Sequence, residues 1–239
     1  MNPYIAAAVA EMDKINVSRM EHPGPWALDP ASCRFVAAFA RALKVRRALE
    51  FGSGFSTLVL ARETAAQEDN YLLSIDSSPR YSTMAREAVE TSGCPAKVEF
   101  RVAPLRPRFY GPRLLLTPAL PKGLLGALGP FDLALIDAPH EGWDPEAALY
   151  DIFPAMAVGG YAVVDDANLP GREAHWDAWR AALGEAADFI HLEGIGNGLL
   201  VIEKLEDDPP RYPFKGALGA AGRALRDYAR LLSVNPENR

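Results

Sequence analysis

Short β-branched and apolar runs alternate along this chain with longer stretches whose apolar residues recur at helical spacing. That alternation builds a parallel sheet covered by helices. The strand-like runs are 46–51, 71–75, 97–102, 131–136 and 161–164. The opening, to about Lys44, reads as helical segments interrupted at Glu21–Pro30 by three prolines and a glycine. Ser78–Pro79 opens a helix, with Ser78 as N-cap and Pro79 in the first turn, and Gly93 closes it. Asp144–Pro145 opens another in the same way, and Trp176 and Trp179, three apart, anchor a third on the core.

The far end of the sheet differs. The runs 189–192 and 199–203 flank Glu193–Gly198, which holds Gly194, Gly196 and Gly198. Strands joined so closely must run antiparallel, because a parallel pair needs a crossover of a dozen or more residues. The expected fold is therefore α/β: a Rossmann-like, doubly wound, seven-stranded sheet of five parallel strands plus a C-terminal antiparallel hairpin, with helices on both faces. Three parts follow within one domain: an N-terminal helical or lid segment (1–44), a ligand-binding domain (45–204), and a linker with an amphipathic helix (205–239). In that helix Leu218, Ala221, Leu225, Tyr228 and Leu232 share a face, which packing on the domain or on a second subunit of a homodimer explains more simply than membrane contact.

Ala103–Lys122 breaks the pattern. It carries five prolines with Arg106, Arg108, Arg113 and Lys122, and reads as a solvated loop or as a substrate lid or anion site. Trp26, in the Pro-rich N-terminal stretch, reads as a lid residue or an anchor.

Charge and composition narrow the functional classes. The 239 residues carry 25 Lys plus Arg against 31 Asp plus Glu, a net −6 that argues against a phosphate-tracking nucleic-acid binder. No stretch nears the roughly 18 apolar residues of a membrane span, and the N-terminus has no export pattern, so the expected compartment is the cytoplasm. Cys33 and Cys94 are too few for a disulfide framework and lack metal-ligand spacing.

Candidate chemistry gathers at the strand ends. In Ala48–Thr57 a strand ends at Phe51, Gly52 and Gly54 make a turn, and a helix begins near Ser56. Glycines let the backbone turn tightly and a ligand approach closely. Glu50 stands where a dinucleotide-binding loop has an apolar residue, and Thr57 replaces the third glycine. A carboxylate there repels a pyrophosphate, whereas S-adenosylmethionine offers an ammonium, a sulfonium and a ribose diol without any phosphate. Asp76, ending the second strand, is placed to accept from both ribose hydroxyls; its plain alternative is a cap on the helix after Ser77.

At the fourth and fifth strand ends stand Asp137, His140, Asp165, Asp166 and Asn168. In an open parallel sheet all these fall at one edge, where ligands bind. Converging oxygen ligands suit a hard ion such as Mg²⁺. His140 reads as a base or substrate ligand, while His22, His175 and His191 read as loop, helix-surface and strand residues.

Taken together, Glu50-x-Gly52-x-Gly54-x-Ser56-Thr57, Ile136-Asp137-Ala138-x-His140 and Gly159-Gly160-x4-Asp165-Asp166 resemble the class I S-adenosylmethionine-dependent methyltransferases, in a bacterial branch with macrocin-type sugar O-methyltransferases. The resemblance covers about 46–203. It implies a cofactor-binding set of Glu50, Gly52, Ser53, Gly54, Ser56, Thr57, Asp76, Ser77 and Asp137. It also implies Mg²⁺ on Asp137, Asp165 and Asp166, with Asp137 or His140 taking the proton of a small hydroxylated acceptor. Alternatives are a metal-free methyltransferase with His140 as base, an NAD(P)-dependent oxidoreductase, which Glu50 and Thr57 oppose, and a non-catalytic cofactor-binding protein. After the third strand Ala103–Pro104 leaves the adenine contact unassigned.

Overall fold

The computed structural model describes residues 2–17, 28–137 and 145–233. Two N-terminal helices, α1 (Pro3–Glu11) and α2 (Pro30–Leu43), precede β1 (Arg47–Phe51), α3 (Phe55–Thr64), β2 (Tyr71–Asp76), α4 (Pro79–Thr91) and β3 (Val98–Val102). There follow β4 (Leu105–Tyr110), β5 (Arg113–Pro118), α5 (Leu124–Leu128), β6 (Phe131–Ile136), α6 (Pro145–Ile152), β7 (Met156–Val164) and α7 (Glu173–Leu183). The chain ends with β8 (Ala187–Leu192), β9 (Leu199–Lys204) and α8 (Ala217–Ser233).

Seven strands form one sheet in the order β3-β2-β1-β6-β7-β9-β8. Pairings from β3 through β7 are parallel, and β9 runs antiparallel to both β7 and β8. The order reverses between β1 and β6, which opens a crevice at their carboxyl ends. This is the Rossmann-like architecture expected from the alternating pattern.

Each central strand is buried on both faces, so its residues alternate between two cores. Leu133, Leu135, Tyr161 and Val163 face α1, α2 and α3, whereas Ala134, Ile136, Ala162 and Val164 face the α6–α7 side. Trp176 and Trp179 are core anchors, 8% and 1% exposed. Cys33 is buried and Cys94 half-buried, both as free thiols.

The segment 103–122 is not an irregular loop. It contains β4 and β5, a separate antiparallel hairpin paired from Leu105↔Pro118 to Tyr110↔Arg113. Its arginines are already engaged. Arg108 pairs with Asp151 at 3.0 Å, Arg106 lies over the Tyr228 ring, and Arg113 is buried against Glu146. Arg113 also donates to the Pro213 and Lys215 carbonyls, clamping the approach to α8 onto the domain.

The C-terminal helix also departs from expectation. Its small residues Ala220 and Ala224 are buried, while Leu218, Leu225 and Leu232 are 92%, 55% and 64% exposed. Helical periodicity marks an apolar stripe, of which Tyr228 packs on the domain with Ala220, Ala224 and Leu231 while the three leucines stay exposed. Among the described residues no helix is long and apolar enough to cross a membrane.

Candidate active site

The carboxyl ends of β1, β2, β6 and β7 bring the acids together. Where β1 ends, Gly52 adopts φ +103°, a conformation that disfavours side chains, and its N–H donates to the Ile75 carbonyl at 2.9 Å. That bond folds the turn back against β2. At Gly54, where α3 begins, an added Cβ would meet nothing within 4 Å, so the turn leaves open space in front of it.

Glu50 lies fully buried beneath this turn. Its Oε2 accepts from Thr57 Oγ1 at 2.5 Å and from Ser74 Oγ at 2.7 Å. Thr57 Oγ1 in turn accepts from the Gly54 N–H at 2.9 Å, so this residue at the missing third-glycine position ties loop to acid. Burial pushes Glu50 up to about 7; the Ser56, Thr57 and Ser74 hydroxyls counter it, and the Asp76 charge adds to the rise. Glu50 Oε1 is buried and accepts no hydrogen bond among the described residues. Such an atom is costly unless a donor reaches it.

Asp76 is engaged at the glycine turn and at the start of α4. Oδ2 accepts from the Ser53 N–H at 2.7 Å and Oδ1 from the Ser78 N–H at 2.6 Å. It thus caps α4 in place of the Ser78 side chain, which makes no cap bond, and fixes the glycine turn to β2. Ser53 is buried, its hydroxyl 2.7 Å from that of Ser74, and Ser77 is half-buried at the turn.

Asp137 is held by its own N–H, which donates to the Phe51 carbonyl at 2.9 Å, and Asp165 by an N–H bond to Ile136 at 3.0 Å. Burial raises both carboxyls, and neighbouring negative charge adds to it: Asp165 and Glu50 beside Asp137, Asp166 beside Asp165. Asp165 reaches about 7.

Asp166 adopts φ +58° and accepts from Asn197 Nδ2 at 3.1 Å. Asn168 does not join the cluster: its Oδ1 meets His191 Nε2 at 2.9 Å and its Nδ2 donates to Glu193. Among the described residues no group of three or more His, Cys, Asp or Glu is gathered to hold a metal. Asp137, Asp165 and Asp166 therefore do not form the expected Mg²⁺ cradle in this arrangement. His140, Trp26 and the Asp144 cap lie outside the described residues. His175 is no simple surface residue, since its ring lies 3.9 Å from buried Glu146.

Sequence reasoning missed a contribution from α2. Asp29 caps this helix through Ala31 and Ser32, and Ser32 Oγ bonds both Asp29 and, at 3.3 Å, Asp165 Oδ1. The Asp29–Pro30 pair announces a helix start, but nothing local in sequence announces that it lands beside Asp165, 136 positions away. Gly196 makes that landing possible: at φ +55°, a Cβ there would run into Asp29 and Ser32. A groove of about 520 Å³, lined by Arg108, Leu120–Gly126 and Asp151, lies at the other end of β6 and β7, away from these acids.

Residues 49–167 match the model of a family described as a methyltransferase domain. The catechol O-methyltransferase of Mycobacterium tuberculosis is 32% identical over 142 residues, covering 59% of this chain and 54% of that protein. An O-methyltransferase of Aspergillus hancockii, hkm8, is 27% identical over 164 residues, 66% of this chain and 58% of its own. The chain thus spans somewhat more than half the length of these relatives. The crystal structure of the O-methyltransferase TomG of Streptomyces achromogenes in complex with SAM superposes with a TM-score of 0.59 at 18% identity, over 86% of this chain and 91% of that one.

Proposed function

We infer that this chain, whose residues 49–167 match a methyltransferase domain, is an S-adenosylmethionine-dependent O-methyltransferase acting on a small hydroxylated acceptor. The observation that carries the reading is Glu50: a fully buried carboxylate under a glycine turn, with one oxygen lacking a donor among the described residues. A cationic ligand supplies that donor, and a phosphate-bearing one is repelled by Glu50, Asp76, Asp137 and Asp165 alike. In this reading Glu50, Gly52, Ser53, Gly54, Ser56 and Thr57 hold the methionine end, and Asp76 and Ser77 the ribose. The relatives' activities on oxygen acceptors, and the motif resemblance to macrocin-type sugar enzymes, support a hydroxyl as the acceptor class.

When bound, S-adenosylmethionine supplies an electrophilic methyl group, so catalysis rests on bringing the acceptor oxygen in line with it. Asp137 and Asp165 flank the mouth where that oxygen would sit. Burial and the neighbouring carboxylates raise the proton affinity of Asp137, which suits it to accept a hydroxyl proton, with His140 as the alternative base. A chelator titration separates two versions of the reaction. Loss of turnover restored by Mg²⁺ would make Asp137, Asp165 and Asp166 ligands in the substrate complex, while unchanged turnover leaves Asp137 or His140 acting alone.

Thermal unfolding with S-adenosylmethionine or NAD⁺ tests the cofactor. At a hundred times its dissociation constant, S-adenosylmethionine should raise the midpoint by roughly 5–10 °C. A shift with NAD⁺ alone would overturn the reading of Glu50.

A further inference from the structure

The face of α8 left bare by the domain has a regular composition. Leu218, Gly222, Leu225, Ala229 and Leu232 follow one another at spacings of four, three, four and three, the heptad rhythm of a helix that pairs with another helix. The three leucines are 92%, 55% and 64% exposed, and Phe214, just before the helix, is 83% exposed. Among the described residues nothing covers them, because the hairpin takes up Ala220, Ala224, Tyr228 and Leu231 instead.

Gly222 makes the same point independently. Glycine is the poorest helix former after proline, so a mid-helix glycine needs a reason. A Cβ at Gly222 would meet nothing within 4 Å, and at Gly219 only the Arg223 guanidinium at 3.8 Å. No intramolecular contact requires either glycine, whereas close approach of a second backbone would.

We propose that α8 pairs antiparallel with α8 of a second copy of this chain, each Leu225 seated over the partner's Gly222 and each Leu218 over its Ala229. Large residues then face small ones across a two-fold axis, and the surface is self-complementary. Charge selects the direction. Arg226 and Arg230 lie in the C-terminal half, while exposed Glu206 and Asp208 precede the N-terminal end. Asp227 lies 3.7 Å from Arg226 and 3.6 Å from Arg230 on the same helix. Antiparallel pairing in this register sets Arg226 opposite the partner's Ala221 and Arg230 opposite the partner's Ala217, toward the partner's acids, whereas parallel pairing would stack like charges. Seventeen residues make a strip about 25 Å long and about 10 Å wide. That falls well short of the roughly 800 Å² per partner of a tight interface, so the dimer should be concentration-dependent.

Sedimentation of the full chain from 1 to 200 µM tests this. The expected mass rises from monomer to dimer across that range. Leu225→Glu should keep the chain monomeric at 200 µM with its unfolding midpoint unchanged within a few degrees. Gly222→Leu fills the notch and should weaken the dimer at least tenfold while stabilising the isolated helix. Arg226→Glu with Arg230→Glu should weaken it several-fold at low salt, and an unchanged constant would overturn the antiparallel arrangement. A wild-type chain that stays monomeric at 200 µM overturns the pairing, and so does one that instead binds phosphatidylserine vesicles through these leucines. A dimer untouched by Leu225→Glu or Gly222→Leu overturns it equally.

Discussion

At the residue scale, Glu50 concentrates the chemistry because its two oxygens are treated differently. One is held by Thr57 and Ser74, which fixes the carboxylate in place; the other is buried and has no donor among the described residues. Glu50→Gln keeps the shape and leaves Thr57 and Ser74 a carbonyl oxygen to donate to, but removes the charge that attracts an ammonium. Loss of one buried charge-assisted contact costs about 2–4 kcal/mol, or roughly 30- to 1,000-fold in affinity. Titration calorimetry with S-adenosylhomocysteine should show that loss while circular dichroism stays unchanged. Affinity within threefold of the parent would remove Glu50 from the site.

At the scale of elements, the β4–β5 hairpin depends on one buried pair. Arg113 and Glu146 have side chains 4% and 1% exposed, and Tyr150 at 2.9 Å and His175 at 3.9 Å also reach the acid. Arg113→Ala strands Glu146 in the core, where an unpaired charge costs about 3–5 kcal/mol. The unfolding midpoint should fall by roughly 6–20 °C. Replacing both residues together, Arg113→Met with Glu146→Leu, should restore most of it, because the charge and its desolvation leave as a pair. If the double variant melts as low as the single one, the contact matters through packing and not through charge.

Elements also divide what can be read in the sequence from what cannot. The parallel strands are legible because burial on both faces demands unbroken apolar runs, and Gly52 is legible because only a turn needs it. The hairpin is not, since Pro104, Pro107, Pro112, Pro118 and Pro121 interrupt its alternation, and a two-stranded sheet outside the main one tolerates them. Arg113 and Glu146 look like surface charges until the fold brings them together from 33 positions apart. In α8, periodicity reveals a stripe of leucines, yet which side docks is decided by the hairpin's surface. The site divides likewise: Glu50, Asp76, Asp137 and Asp165 follow from strand ends, whereas Ser32 reaches Asp165 only through the packing of α2.

For the whole molecule, a buried acidic edge makes stability and ligand binding oppose each other across pH. Glu50 rises from 4.5 to about 7 on folding, and Asp165 from 3.8 to about 7. Between the unfolded and folded values the native state holds more protons than the unfolded chain, so stability falls as pH rises through that window. Glu99 and Glu146 are lowered, by hydrogen bonds from Tyr71 and from Arg113, Tyr150 and His175, and the stability they confer is lost below about 4.5. The ligand-free protein should therefore melt highest near pH 5 and several degrees lower at pH 8. A cationic ligand favours the ionised form of Glu50 and reverses the trend. Below pH 7 its affinity should tighten by up to about tenfold per unit, because binding releases one proton, and level off above. Calorimetric titrations in two buffers of different ionisation heat at pH 6 would count that proton directly. If none is released, Glu50 is already ionised in the free protein, and the ammonium does not bind there by drawing off a proton.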